Sequence, residues 1–123
     1  MTNNVLKVEK MENNLGSRLK YLRKKHNFTQ REVGDFLDIS QSQLAKVESN
    51  DRNLKLTKLL KLCDLFNVSE EYLLYGEGDS DKNKLAFRKE NKSIDLETLA
   101  RMNRIVNNLK FMKDLYKEHY EDD

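Results

Sequence analysis

Two helix-start signals lie eleven residues apart in the N-terminal half of the chain. Thr29 is followed three residues later by Glu32, and Ser40 is followed in the same way by Gln43. In each pair the hydroxyl accepts a hydrogen bond from a backbone N–H of the first turn, and the longer side chain reaches back to the capping residue's own N–H. The spacing predicts a helix of about two turns, a tight turn and the start of a second helix.

The apolar positions around these caps favour two helices that cross at a steep angle. The predicted inner residues are Val33, Phe36 and Leu37 on the first helix, Ile39 in the turn, and Leu44 and Val47 on the second. Gly34 supplies a small side chain where the two helices meet. An ordinary helical hairpin with a solvated polar face is the alternative, but two caps at this spacing favour a DNA-binding helix-turn-helix.

Residues from about 15 to 76, half of the chain, resemble the Cro/repressor-type (XRE-like) helix-turn-helix domain. The resemblance extends beyond the two central helices to segments 15–23, 59–69 and 72–74. It implies an all-α fold with a compact bundle of five helices. Asp38 and Asn50 stand where the family usually has glycine, and both residue types tolerate the left-handed backbone conformation. Lys55 replaces the usual small polar cap of the fourth helix.

Position on the second central helix, the recognition helix, selects candidates for DNA contact. Gln41 is its first residue, and a glutamine side chain makes two hydrogen bonds to adenine in the major groove. Ser42 and Lys46 share this outward face, and Lys46 is placed to reach guanine or a phosphate. Gln43 is expected either to cap its own helix or to touch the DNA backbone. Gln30 is the first residue of the preceding helix, where a helix N-terminus faces a phosphate. The predicted DNA-contacting residues are Gln30, Gln41, Ser42, Gln43, Lys46, Asn50, Arg52 and Asn53.

Two further positions are expected to serve the fold. In the family that this domain resembles, an arginine near the end of the first helix pairs with a glutamate on the inner side of the recognition helix. The matching residues are Arg23 and Glu48, so we expect Glu48 to have a packing role. Cys63 is interpreted as a small core residue. It shares a predicted inner stripe of the fourth helix with Leu56, Leu59, Leu60 and Phe66.

The charge distribution is consistent with a DNA-binding N-terminal half. Residues 15–75 carry 11 basic and 8 acidic side chains, a net charge of +3, whereas residues 76–123 carry 10 and 11, a net charge of −1. The positive excess therefore lies in the part predicted to approach phosphates. No apolar run is long enough for a membrane span or a secretion signal, so we expect a cytoplasmic protein.

Enzymatic and metal-binding classes have little support. His26 and His119 are far apart in the sequence, and no cysteine lies near either of them. There is also no glycine-rich phosphate loop. We therefore predict no catalytic residues, no metal site and no cofactor.

Composition divides the chain into a flexible lead-in (1–14), a DNA-binding domain (15–76), a polar linker (77–93) and a C-terminal segment (94–123). The last is predicted to form a helix of about 26 residues with an apolar stripe. This stripe must pack on the bundle or on another chain, and we favour self-association. The predicted dimer contacts are Leu99, Met102, Ile105, Val106, Leu109, Met112 and Tyr116.

Taken with the resemblance, these features imply a homodimeric repressor of a mobile element or similar switch, bound to a near-palindromic operator in double-stranded DNA. The alternative is an antitoxin-type interaction module, whose C-terminal helix binds a partner protein while the N-terminal domain binds operator DNA. Compact repressors of this kind are sometimes paired with a metallopeptidase that cleaves them or with an antirepressor protein. No residue in the sequence identifies such a partner.

Overall fold

A computed structural model describes residues 14–78 and 94–120, and this part of the chain is helical without strands. The helices are α1 (Leu15–Lys25), α2 (Gln30–Phe36), α3 (Gln41–Glu48), α4 (Leu56–Phe66), α5 (Glu70–Tyr75) and α6 (Leu96–Tyr120). The prediction of a five-helix bundle followed by a long C-terminal helix is confirmed. The predicted lead-in up to residue 13 and the predicted linker from residue 79 lie outside the described residues.

The starts of the helices follow the capping chemistry of the sequence. The Thr29 and Ser40 side chains each accept a hydrogen bond from the backbone three residues on, and both predicted reciprocal capping boxes are present. The side chain of Asn14 caps α1 in a similar way. Lys55 precedes α4 without any side-chain cap, because its ammonium group has no acceptor to offer the backbone N–H groups.

Each helix of the bundle is followed by a residue in the left-handed conformation. The φ angles are 59° at Asn27, 57° at Asp38, 63° at Asn50, 54° at Asn67 and 74° at Gly76. Asparagine, aspartate and glycine are the residues that adopt this conformation at least cost, and it ends a helix by turning the chain away from the axis. The prediction that Asp38 and Asn50 substitute for glycine in this role is confirmed.

One core joins all six helices. Its members in the bundle include Leu19 and Leu22 of α1, Val33, Phe36 and Leu37 around α2, Leu44 and Val47 of α3, Leu62, Cys63 and Phe66 of α4, and Leu73 of α5. Cys63 is a buried free thiol, as predicted. The predicted stripe of α4 is wrong for Leu56 and Leu60, which are exposed. The helix is turned so that Leu62 and Leu65 face the core instead.

The N-terminal part of α6 belongs to the same core. Asp95 caps this helix, since its carboxylate accepts a hydrogen bond from the Thr98 N–H at 2.7 Å. Hydrogen bonding from Thr98 lowers the pKa of the Asp95 carboxyl, because the bonds favour its charged form. Leu96, Leu99 and Ala100 are buried, and α6 packs against α4 and α2. The beginning of the C-terminal segment is therefore packed on the bundle.

The single apolar stripe that the sequence predicts is divided between two faces of α6. Leu99 is 1% exposed and packs within its own chain, so it is removed from the predicted dimer contacts. Met102 and Val106 are half-buried at the edge of this contact. The other predicted contacts, Ile105, Leu109, Met112 and Tyr116, are exposed. At about 100° per residue they lie on the side of α6 roughly opposite Leu96 and Asn103. We call these four residues the free face.

Candidate nucleic-acid interface

Two glycines allow the close approach of α1, α2 and α3. A Cβ atom on Gly34 would lie 3.0 Å from the Ile39 carbonyl oxygen, so the predicted need for a small residue where the two helices meet is confirmed. Gly16 is the tighter position, because its Cβ would lie 2.4 Å from the Val47 oxygen and 2.6 Å from the Glu48 oxygen. The start of α1 therefore lies directly against the end of α3. The sequence analysis missed Gly16, since only the fold brings residues 16 and 47 together.

The predicted ion pair between Arg23 and Glu48 fixes α3 on α1. Arg23 Nε donates to Glu48 Oε2 at 2.6 Å and Nη2 donates to Oε1 at 3.1 Å, a two-point arrangement that constrains both side chains. A third donor of Arg23 reaches the Phe28 carbonyl oxygen at 3.0 Å. The same Glu48 carboxylate accepts from Gln30 Nε2 at 3.1 Å. One ion pair thus orients a residue that the sequence predicts at the DNA surface.

The outward face of α3 presents polar side chains to solvent. Gln41, Ser42 and Lys46 are exposed, and so are Arg52 and Asn53 in the following loop. Of these, Ser42 has a local contact, with its Oγ 3.2 Å from the Ser40 Oγ. The structure brings the three helix residues together on one surface and places the two loop residues just beyond the end of the helix.

Gln43 and Asn50 instead use their side chains within the fold. Gln43 Oε1 accepts from the Ser40 N–H at 3.0 Å, which confirms its capping role. Asn50 Oδ1 accepts from the Gly16 N–H at 3.0 Å, and its Nδ2 donates to Asn14 Oδ1 at 2.7 Å. The exposed Asn50 amide thus joins the end of α3 to the start of α1, and its contact with the DNA backbone stays a prediction.

An open depression beside α3 adds residues that the sequence analysis missed. It is lined by Lys20, Arg23, Lys24, Asn27, Phe28, Thr29, Gln30 and Gln41. Lys20 and Lys24 are exposed and lie on one face of α1, next to the starts of α2 and α3. The sequence carried one signal for them: residues four apart lie on the same face of a helix, and each of these lysines is adjacent to a residue of the buried face, Leu19 or Arg23. The exposed side chains of Lys20 and Lys24 therefore line the same depression as Gln41.

Other site chemistries are not found in the described residues. Within residues 14–78 and 94–120, no group of three or more histidine, cysteine, aspartate or glutamate side chains is arranged to hold a metal ion. None of the helices in that part combines the length and the apolar character needed to cross a membrane.

Comparison with known proteins agrees with this geometry. Residues 19–73 match a sequence model of the helix-turn-helix family. The HTH-type transcriptional regulator ImmR of Bacillus subtilis (strain 168) is 41% identical over 70 residues, which cover 57% of this chain and 55% of ImmR. The chain thus spans about half the length of this curated relative. No solved structure gives a significant match. Residues 19–73 are therefore similar to the helix-turn-helix family in sequence, and their geometry agrees with that similarity.

Proposed function

We propose that this protein is a sequence-specific transcriptional regulator that binds an operator in double-stranded DNA. The observation that carries the proposal is the exposed polar face of α3, with Gln41, Ser42 and Lys46 held on a helix whose other side is locked into the bundle. A helix of this width enters the major groove, and such side chains recognise base edges there. The 41% identity to a transcriptional regulator supports the same role.

Gln41 and Lys46 are the proposed base-reading residues. Gln41 has a carboxamide that matches the donor and acceptor pattern of adenine, and Lys46 is a donor suited to guanine or to a phosphate. Ser42 offers a hydroxyl to either base edge. The DNA role proposed for Gln43 is limited to the backbone, because its side-chain oxygen already caps α3.

Phosphate contacts are proposed on both sides of α3. Lys20 and Lys24 approach from α1, whereas Arg52 and Asn53 approach from the loop after the recognition helix. Gln30 uses one amide N–H for Glu48 and offers the second to a phosphate. Contacts of this kind set the position of a protein on the duplex without reading its sequence.

Titration against DNA at several salt concentrations tests this proposal. A preferred duplex is first recovered from a random library with the full chain. The logarithm of the binding constant should then fall linearly with the logarithm of salt concentration, because lysine and arginine release counterions from the phosphates. A chain that selects no preferred duplex at any salt concentration contradicts sequence-specific binding.

Substitution of Gln41 should alter specificity more than overall affinity. We expect Gln41→Ala to lower discrimination at one base pair by about 1–3 kcal/mol, because two hydrogen bonds to one base are lost. Arg52→Ala is the matched control and should weaken binding to all duplexes to a similar extent. Binding to the preferred duplex and to its single-base variants measures both effects. An unchanged base preference in Gln41→Ala would mean that α3 docks differently.

We also propose that the free face of α6 pairs two copies of the chain. Four large apolar side chains are exposed there, on the side of the helix turned away from the bundle, and their surroundings include exposed Leu115 and Tyr120. A two-fold dimer suits a near-palindromic operator, in which each copy binds one half-site. The corresponding function is that of a repressor for a mobile element or a similar switch.

The same exposed face supports the alternative of an antitoxin-type module with a different protein partner. In that case Ile105, Leu109, Met112 and Tyr116 cover a surface on the partner, and the purified chain stays monomeric. A metallopeptidase or an antirepressor is a further candidate for such a regulatory partner. Sedimentation of the purified full chain separates self-association from both of these possibilities.

A further inference from the structure

Two asparagines fasten α6 to the end of α4. Asn103 is fully buried, and its Nδ2 donates to the Asp64 carbonyl oxygen at 3.0 Å and lies 3.4 Å from the Leu65 oxygen. One turn further on, Asn107 Nδ2 donates to Asn67 Oδ1 at 2.9 Å. Asn67 is itself the left-handed residue that ends α4. We call this set of contacts the amide junction.

The hydrogen bonds of this junction fix the position and rotation of α6 relative to α4 more closely than apolar packing alone would. The last carbonyl groups of a helix have no partner within that helix, and leaving them buried without one costs free energy. Asn103 supplies such a partner at Asp64 and Leu65. Because hydrogen bonds weaken steeply when they are misaligned, sliding or rotation of α6 against α4 loses these contacts. Hydrophobic burial is non-directional and opposes such movements less strongly.

A second connection links α6 to the helix-turn-helix. Lys61 of α4 lies 3.4 Å from the Glu97 carboxylate of α6 and donates to the Phe36 carbonyl oxygen, at the end of α2, at 2.9 Å. Its ammonium nitrogen also lies 4.6 Å from the centre of the Phe36 ring. The helix that carries the free face is thus connected to both α4 and α2.

We infer that the amide junction sets the orientation of the DNA-reading bundle on the dimer, and so determines which spacing of half-sites the protein accepts. The inference rests on the proposed dimer. Asn103 and Asn107 act here as positioning residues, since the groups that they bond belong to the end of α4 in their own chain. The connection through Lys61 and Glu97 supports the same orientation.

The dimensions make the junction a sensitive point. The 16 residues from Ile105 to the end of α6 at Tyr120 extend about 24 Å. A rotation of about 10° at the junction would displace one end of such a segment by about 4 Å, which exceeds the 3.4 Å between successive nucleotides of a strand. A tilt that is small for a helix therefore moves a bundle by a whole base pair.

The test varies the spacing within an operator. The full chain is first used to select a preferred duplex from a random library, and one to five base pairs are then inserted between its half-sites. Wild type should lose about 100-fold in affinity across this series, because a rigid dimer engages only one half-site at a time when the spacing is wrong. The double variant Asn103→Ala/Asn107→Ala should bind the preferred duplex about tenfold more weakly and vary less than about tenfold across the series. Asn108→Ala, at an exposed neighbouring asparagine, is the matched control and should follow wild type.

A second variant guards against a folding defect in the first. Glu97→Ala/Asn107→Ala removes contacts of partly exposed side chains and keeps buried Asn103, so the core is retained. It should remain dimeric by sedimentation and tolerate altered spacing to an intermediate extent. If wild type and both variants are dimers and all three show the same dependence on spacing, the role of the amide junction is overturned and the proposed dimer stands. A monomeric wild type overturns the proposed dimer and, with it, this role of the junction.

Discussion

Glutamate in place of Leu109 and Met112 should convert a dimer into a folded monomer and weaken operator binding by about 10²–10⁴-fold. The two side chains are 61% and 63% exposed, so their replacement leaves the core of the chain intact. A dimer formed through the free face would bury four additional carboxylates, at a cost that its apolar contacts do not offset. A monomer engages one half-site and loses the gain from holding the second bundle beside the other half-site. Sedimentation velocity and operator titration measure the two effects.

Lys110→Glu is the control for charge, because this single change alters the net charge by the same two units. Lys110 is exposed on a different side of α6 and pairs with Asp114 at 3.3 Å. This control should remain dimeric.

Truncation after Gly76 is unsuitable as a way to obtain a folded monomer, because it removes Leu96, Leu99 and Ala100 from the core. If wild type is already monomeric, the free face serves a different partner. If the double glutamate variant is still a dimer, the interface lies elsewhere in the chain.

Glu48→Ala should lower the free energy of unfolding by about 3–5 kcal/mol. The Arg23 and Glu48 side chains are 10% and 3% exposed, so removal of the carboxylate leaves a buried guanidinium without its partner. Gln30 also loses its acceptor, and the attachment of α3 to α1 is weakened. Urea denaturation followed by circular dichroism measures the change. Operator binding should fall as well at temperatures where the domain stays folded, because Gln30 is no longer oriented.

An exposed pair in the same chain provides the comparison. Lys110 and Asp114 lie four residues apart on α6 with side chains that are 52% and 61% exposed. Asp114→Ala should change the free energy of unfolding by no more than about 0.5 kcal/mol, because water screens this pair. Similar effects of Glu48→Ala and Asp114→Ala would contradict the structural role of the buried pair.

Local sequence signals predicted much of the bundle. The reciprocal caps at Thr29 and Ser40 are formed by residues within three positions of each other, so they are legible before any fold is known. The left-handed positions at Asp38 and Asn50 are equally local. Resemblance to the family supplied the pairing of Arg23 with Glu48, which lie 25 residues apart and carry no local signal.

Features that depend on distant parts of the chain were not predicted. Apolar periodicity assigns a face to an amphipathic helix, but it does not show where one apolar face ends and another begins. For this reason the sequence predicts one unbroken stripe on α6 from Leu99 to Tyr116, although Leu99 is buried and Leu109 is exposed. Gly16 and Asn103 owe their roles to contacts across more than 30 residues, and neither residue type signals such a contact in advance.

The separation of the two faces of α6 has a consequence for gene dosage. In the proposed dimer, the residues that complete the core differ from those on the free face, so pairing would be a reversible step governed by mass action. At low abundance the amount of dimer then rises with the square of the amount of monomer. A twofold dilution, as at cell division, would lower operator occupancy by up to about fourfold. For the proposed dimeric repressor, this arrangement would suit a threshold response, in which a modest loss of protein releases the promoter.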